Sequence, residues 1–279
     1  MKSLNNVFIP LITCLLILSG CRPPASVFVK NAFISMQLGD HPGAIEKLTR
    51  AISIDPENED AYFFRGDAKV TIGDYESALE DLDKAISLNP EFHAAYNMRG
   101  NAKFRLGKPI AAIEEYSKAI DIFPEYSRAY NNRGYALMTI DQKEEALEDF
   151  NRAIELNPLY VIALNNRGLA RYRLGKLDDS IEDFEKAIEL DPFFEMAWFN
   201  LGITETDLSN YNRAIEYFGK ATEINEHLVI AWVNKGYAKA TAGDIAGACA
   251  DWHRAMELGD LEATYLVEEL CLGFPPVYD

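Results

Sequence analysis

Large apolar side chains return along this chain at a fixed spacing of 34 residues, and between them small residues return in the same register. Counting each period from residues 25, 59, 93, 127, 161, 195 and 229, position 4 reads Phe28, Tyr62, Tyr96, Tyr130, Leu164, Trp198 and Trp232. Position 24 reads Leu48, Leu82, Tyr116, Phe150, Phe184, Phe218 and Trp252. Glycine holds position 8 (Gly66, Gly100, Gly134, Gly168, Gly202, Gly236), and alanine position 27 (Ala51, Ala85, Ala119, Ala153, Ala187, Ala221, Ala255). Proline ends five of the periods at Pro56, Pro90, Pro124, Pro158 and Pro192. An exact recurrence of this length marks a repeat architecture. Small residues let two helices approach closely and the large ones fill the volume left between them, so each period predicts one helical hairpin. No single hairpin buries enough surface alone, and the hairpins are expected to fold as an array.

These positions closely resemble the tetratricopeptide repeat, whose pattern sets an aromatic at position 4, Gly at 8, Ala at 20 and 27, a large hydrophobe at 24 and Pro at 32. The likeness covers residues 25 to 262. Asp141 and Ser209 depart from it at the turn glycine of position 15, Ser180 at position 20, and Glu226 and Asp260 at the proline. The resemblance implies an all-α superhelical solenoid of seven helix-turn-helix repeats. A capping helix over 261–272, followed by a tail over 273–279, is expected to close it. Ala248-Cys249, Asp251-Trp252 and Glu257-Leu258-Gly259 resemble a common ending of bacterial repeat proteins.

The first twenty residues follow another plan. Lys2 precedes an uncharged stretch with an apolar core from Val7 to Leu18, which reads as a secretory signal peptide. The core is short for a transmembrane anchor, and Asn5, Asn6 and Pro10 weaken that alternative. Leu18-Ser19-Gly20-Cys21 resembles a bacterial lipobox, which implies cleavage before Cys21 and acylation of that cysteine. Several acyl chains anchor a protein almost irreversibly. Arg22 after the cysteine, in place of an aspartate, favours the outer membrane under the usual sorting rule, and residues 21–24 leave only a brief tether.

The chain carries 27 basic against 44 acidic residues, a net charge of −17, and is 48% hydrophobic. Cleavage leaves 26 basic and 44 acidic residues, or −18. Nucleic acid is a poor partner for such a body, and an anionic membrane repels it, so attachment must come from lipid. Of four cysteines, Cys14 leaves with the signal and Cys21 is acylated. Cys249 and Cys271 then lie equally far from a turn near Gly259 and Asp260, which makes them neighbours in an antiparallel hairpin. A disulfide and two buried small hydrophobes are both open readings, decided by Cα separation.

Charge on the second helices reads as structural. Glu46/Arg50, Glu80/Lys84, Glu114/Lys118, Glu148/Arg152, Glu182/Lys186 and Glu216/Lys220 place an acid one turn before a base, the favourable order on an exposed helix. A column at position 7 (Arg65, Arg99, Arg133, Arg167, Lys235) looks like an anion site. Each of those repeats, however, has an acid at position 23 (Asp81, Glu115, Asp149, Asp183, Asp251), whereas the repeats with Asn31 and Leu201 carry Lys47 and Tyr217 there. The two positions change together, so the expectation is an ion pair between the two helices of one hairpin.

Groove chemistry is expected on the first helices, where the family resemblance assigns positions 2, 5, 6, 9, 12 and 13 to a concave face. Here the chain is rich in carboxamides: Asn97, Asn131 and Asn165 at position 5, and Asn132, Asn166, Asn200 and Asn234 at position 6, with Asn101 and Tyr135 at position 9. A carboxamide both donates and accepts, which suits an extended peptide backbone. The competing reading has the same asparagines bonding neighbouring helices. Phe104, Arg105, Arg128, Met138, Tyr172 and Arg173 add to that face. The carboxylate clamp of some relatives is disfavoured, because the nearest frame, Asn97, Asn101 and Asn132, continues with Ile162 and Asn166 where Lys and Arg are required.

Catalysis finds little support. His41, His93, His227 and His253 fall at scattered repeat positions with no metal-ligand spacing and read as exposed helix residues, and no phosphate loop or nucleophile elbow occurs. No enzyme activity, cofactor or metal is expected. The expected function is a lipid-anchored scaffold or adaptor binding a protein or extended peptide at the periplasmic face of the outer membrane. The alternatives are an assembly factor for a pilus, secretin or outer-membrane-protein insertion complex, and a non-catalytic accessory subunit of an envelope protease or cell-wall hydrolase.

Overall fold

The computed structural model describes residues 23–273. The signal peptide, the acylation site Cys21 and residues 274–279 of the tail lie outside them. The described residues hold fifteen α-helices and no strand. They divide into two units between Lys108 and Pro109.

The first unit contains α1 (Ala25–Gln37), α2 (His41–Ile54), α3 (Glu59–Ile72), α4 (Tyr75–Leu88) and α5 (His93–Arg105). α1 packs on α2 and α3 on α4 as hairpins, and each second helix packs on the first helix that follows it. The second unit contains α6 (Pro109–Ile122), α7 (Ser127–Thr139), α8 (Lys143–Leu156), α9 (Val161–Arg173) and α10 (Leu177–Leu190). It continues with α11 (Glu195–Asp207), α12 (Tyr211–Ile224), α13 (Val229–Thr241), α14 (Ile245–Glu257) and α15 (Leu261–Leu270). Its hairpins are α7–α8, α9–α10, α11–α12 and α13–α14, with α6 against α7 and α15 against α14.

The core is built from the alternation of large and small residues. Leu48, Leu82, Phe150, Phe184, Phe218 and Trp252 are all essentially inaccessible to water, as are the alanines of positions 20 and 27. The glycine of position 8 is where the two helices of a hairpin touch. A Cβ on Gly168 would sit 2.6 Å from the Phe184 ring, and one on Gly202 2.5 Å from that of Phe218. Alanine at position 3 packs the next hairpin onto the last, Ala61 beside Ala51, Ala95 beside Ala85 and Ala231 beside Ala221.

Each hairpin turn needs one left-handed residue. Gly39, Gly73, Gly107, Gly175 and Gly243 supply it, and Asp141 (φ 64°) and Ser209 (φ 62°) adopt the same conformation with a side chain. Second helices then start on short polar caps where one is present. Asp40 accepts from the Gly43 amide at 2.9 Å and Asp244 from that of Gly247 at 2.8 Å.

Three details differ from the sequence expectation. The exposed bases of position 26 do not uniformly reach back one turn. Arg50 meets Glu46 at 3.1 Å, but Arg152, Lys186 and Lys220 bond Glu155, Glu189 and Glu223, three residues onward. Acids at both spacings are neighbours on a helix, and an exposed lysine or arginine chooses between them at little cost. His253 is buried rather than exposed, its Nδ1 2.7 Å from the Cys249 carbonyl, where α15 packs on α14, and His41 and His93 are half-buried, leaving His227 as the exposed one. The terminal helix ends at Leu270, two residues before its expected limit.

At that end Ala263, Leu266, Trp252 and Cys249 form one buried cluster. A disulfide joins Cys249 to Cys271, whose Cα atoms are 5.6 Å apart.

Candidate functional site

The chemistry that recurs in this chain sits on its first helices, and it separates into an ion-pair column that faces the hairpin partner and a carboxamide row that faces the neighbouring first helix. In the second unit Arg133 on α7 makes a two-pronged contact with Asp149 on α8, at 2.8 Å from Nε and 2.7 Å from Nη2. Its remaining nitrogen donates to Ser117 Oγ on α6 at 3.0 Å. Arg167 does the same, holding Asp183 at 2.6 Å and Asn151 of the preceding hairpin at 3.0 Å. In the first unit Arg65 grips Asp81 at 2.6 Å and Thr49 at 3.1 Å, and Arg99 reaches Asp83 at 2.5 Å. Lys235 pairs with Asp251 at 3.1 Å.

The expected pairing of positions 7 and 23 therefore holds for Arg65, Arg133, Arg167 and Lys235. Arg99 and Glu115 belong to different units. In its own unit the buried Glu115 lies 3.5 Å from Lys118 Nζ. The hydrogen bond to Asp149 holds the Arg133 guanidinium above its ordinary pKa against the opposing effect of burial. Arg65, Arg99 and Arg133 also lie 5.2–5.7 Å over the rings of Tyr62, Tyr96 and Tyr130, and Lys235 lies 4.6 Å over Trp232. These cations are consumed where they stand.

Two partners of this column escaped the sequence reading. Position 11 supplies a second cation to the same acid: Lys69 to Asp81 at 2.8 Å, Arg171 to Asp183 at 2.8 Å and Lys239 to Asp251 at 2.7 Å. Position 25 supplies the acceptors Thr49, Asp83, Ser117 and Asn151, so Arg65, Arg133 and Arg167 each rivet three helices rather than two. Both sets of residues stand in the 34-residue register, but the register does not say which neighbour each would reach. The sixth hairpin inverts the scheme. Glu205, fully buried at position 11, meets Arg213 at 2.8 Å and accepts from Asn210 at 2.8 Å, while Leu201 and Tyr217 fill the usual ion-pair positions.

The carboxamide row lies on α7, α9, α11 and α13, consecutive first helices that contact one another in the second unit. Asn166 Nδ2 donates to Asn131 Oδ1 at 3.0 Å, and Asn200 Nδ2 to Asn165 Oδ1 at 2.8 Å. Position 6 of α9 and of α11 thus reaches back to position 5 of the first helix before it. Asn131, Asn165 and Asn200 are buried, while Asn132, Asn166 and Asn234 are half-buried and Tyr135 is exposed. Asn234 Nδ2 donates to the Ile230 carbonyl at 2.7 Å. In the first unit Asn97 is buried and Asn101 half-buried on α5.

Beside this row Tyr135, Met138, Asn166, Leu169 and Arg173 line a cleft of about 70 Å³ between α7 and α9. Thr139 of α7 and Phe150 of α8 complete the lining, and four of the seven, Tyr135, Met138, Asn166 and Arg173, are residues named from the sequence for the groove. One turn on, Tyr172 donates to Asp207 at 2.5 Å, tying α9 to α11. Burial and then that hydrogen bond push the Tyr172 phenol up to about 12. Asn166 and Asn234 each place one Nδ2 N–H in these bonds and carry a second, which keeps a donor for a peptide backbone. Among the described residues no cluster of histidine, cysteine and acidic side chains has the arrangement of a metal site, and no helix is long and apolar enough to cross a membrane.

Comparison with known proteins agrees with this geometry. Tetratricopeptide-repeat families match residues 34–73, 65–127, 127–160, 161–194 and 197–227. No curated protein sequence matches. Among solved structures, MamA is 32% identical over 58% of this chain and 94% of its own, with a TM-score of 0.52. YrrB, described as a repeat protein of this type with an unusual peptide-binding site, is 27% identical over 66% and 95%, with a TM-score of 0.52. Pseudomonas aeruginosa pilF is 23% identical over 77% and 98%, with a TM-score of 0.67, and shares the fold. The hairpin period, the rivets and these matches agree: the chain belongs to the tetratricopeptide-repeat family.

Proposed function

We propose that this chain is a lipid-anchored adaptor of the bacterial cell envelope, which binds an extended peptide or protein segment along its first helices. The observation that carries the reading is the cleft of Tyr135, Met138, Asn166 and Arg173 beside a row of half-buried carboxamides. Such a surface offers donors, acceptors and an aromatic platform with no strong charge demand, which suits main-chain recognition. Asn132, Asn166, Asn234 and Tyr135 would make contact, while Asn131, Asn165 and Asn200 hold the row in register. Asn97 and Asn101 offer the same chemistry on α5 of the first unit. The peptide-binding site described for YrrB supports the class of ligand, at 27% identity. Acylation of Cys21 would supply the membrane attachment that the acidic body cannot, and outer-membrane sorting follows from Arg22.

The test is capture of the mature protein from its own envelope with photo-crosslinkers at Tyr135 and Asn234, followed by mass spectrometry. One envelope complex recovered through both positions supports a dedicated adaptor. Many unrelated peptides indicate a holdase, and no adduct at either position overturns first-helix binding. Intact mass of the extracted protein reads the acyl adduct on Cys21.

A further inference from the structure

The outer face of α1 is where the described array begins, and the chain does not treat it as it treats the matching face of the later first helices. At position 3 the next six first helices carry Ala61, Ala95, Ala129, Ala163, Ala197 and Ala231, all buried by the second helix before them. At position 10 they carry Ala68, Ala102, Ala136, Ala170, Thr204 and Ala238, buried likewise. α1 has no hairpin before it among the described residues. At those positions it holds Val27 and Ile34, larger and more apolar, at 42% and 46% exposure. Leu38, the C-cap residue just past Gln37, is 80% exposed and continues the line set by Val27 and Ile34. An end repeat that faced water would be expected to carry a polar outer surface.

Charge is distributed to match. In a chain with 44 acidic residues, none falls between Cys21 and Gly39, whereas Arg22 and Lys30 do. Lys30 is exposed and lies on the flank of the apolar stripe. Three residues separate Cys21 from the first residue of α1, a reach of roughly 10–14 Å when extended.

We infer that the face of α1 carrying Val27 and Ile34, with Leu38 at its C-cap, beds into the surface of the membrane that holds the Cys21 acyl chains, with Lys30 on anionic headgroups. The inference rests on the lipid-anchor reading. A helix of this kind lies in the interface with its apolar face sunk about 5–10 Å. The tether alone would let the array pivot freely, and the bedded face fixes which way its first helices point.

The experiment uses the acylated mature protein on vesicles of phosphatidylethanolamine and phosphatidylglycerol. An environment-sensitive fluorophore is placed on Ile34→Cys and, as control, on Leu159→Cys, a residue 70% exposed in the second unit. The disulfide-bonded Cys249 and Cys271 take no label. Expected is a blue shift at position 34 with quenching by lipid-borne nitroxide, absent at position 159 and abolished at position 34 by Val27→Asp. Acylated protein bound to vesicles whose position-34 label stays in water overturns the inference and leaves the anchor standing. Absence of the acyl adduct by intact mass overturns both. A blue shift in the vesicle-free Cys21→Ser protein, with doubled mass in solution, assigns the face to a second copy instead and overturns the bilayer as its occupant.

Discussion

Asp149 and Asp183 hold the same place in successive hairpins, but their surroundings differ by one charge. Asp149 faces Arg133 alone, because position 11 of its hairpin is Leu137, while Asp183 lies between Arg167 and Arg171. Both acids are almost fully buried, and their cations are a quarter exposed or less. Removing an acid strands each cation it served. Asp149→Ala is expected to cost about 1–3 kcal/mol and Asp183→Ala about 3–5 kcal/mol, measured as midpoint shifts in urea followed by circular dichroism. Equal costs would mean that Arg171 contributes nothing to the site. The pairing of positions 7 and 23 was legible in the sequence because both members lie in one hairpin and substitute together. The role of positions 11 and 25 was not. Whether a long side chain reaches back across a hairpin or forward along it depends on the direction of its Cα–Cβ bond, which a list of positions does not give.

At the scale of the helix and its turn, the constraints are contacts and backbone conformation. Gly168 lies under the Phe184 ring with no room for a methyl group, whereas the first unit meets the same crossing with Gly66 under the smaller Leu82, 2.9 Å from a built Cβ. Gly168→Ala is therefore expected to lose about 1–3 kcal/mol, and Phe184→Leu in the same chain to recover part of it. Thermal melts of the single and double variants decide this, and simple additivity of the two losses would refute the contact. Ser209 pays for a left-handed turn that glycine adopts freely. Ser209→Gly should raise stability by about 1 kcal/mol, provided the midpoint shifts at constant urea dependence. The period of 34 residues made every one of these elements legible, since the large, small and turn positions each repeat. The bonding of the carboxamide row was only half legible. Asn131 and Asn166 are on different repeats, and nothing in either repeat alone says that one will reach the other.

At the scale of the molecule, an array of hairpins is held by neighbour contacts, so its ends are where it opens first. The described C-terminal end is closed by α15, a helix of ten residues that buries Ala263 and Leu266 against α14. So small a contact gives little stability alone, and the Cys249–Cys271 disulfide adds a covalent tie across a sequence separation of 22. Closing a loop of that size removes unfolded-chain entropy equivalent to about 3 kcal/mol. The stabilisation applies locally, to α14 and α15, because hairpins further along do not depend on that contact. Reduction is thus expected to release α15 and admit water to Trp252, now about 1% exposed with its indole N–H on the Val233 carbonyl, while α7 to α10 keep their protection. Hydrogen exchange with and without reductant measures this helix by helix. Loss of protection confined to α13–α15 is the expected result. Uniform loss across the second unit would show that its hairpins open as one cooperative body and that the end carries the stability of the whole.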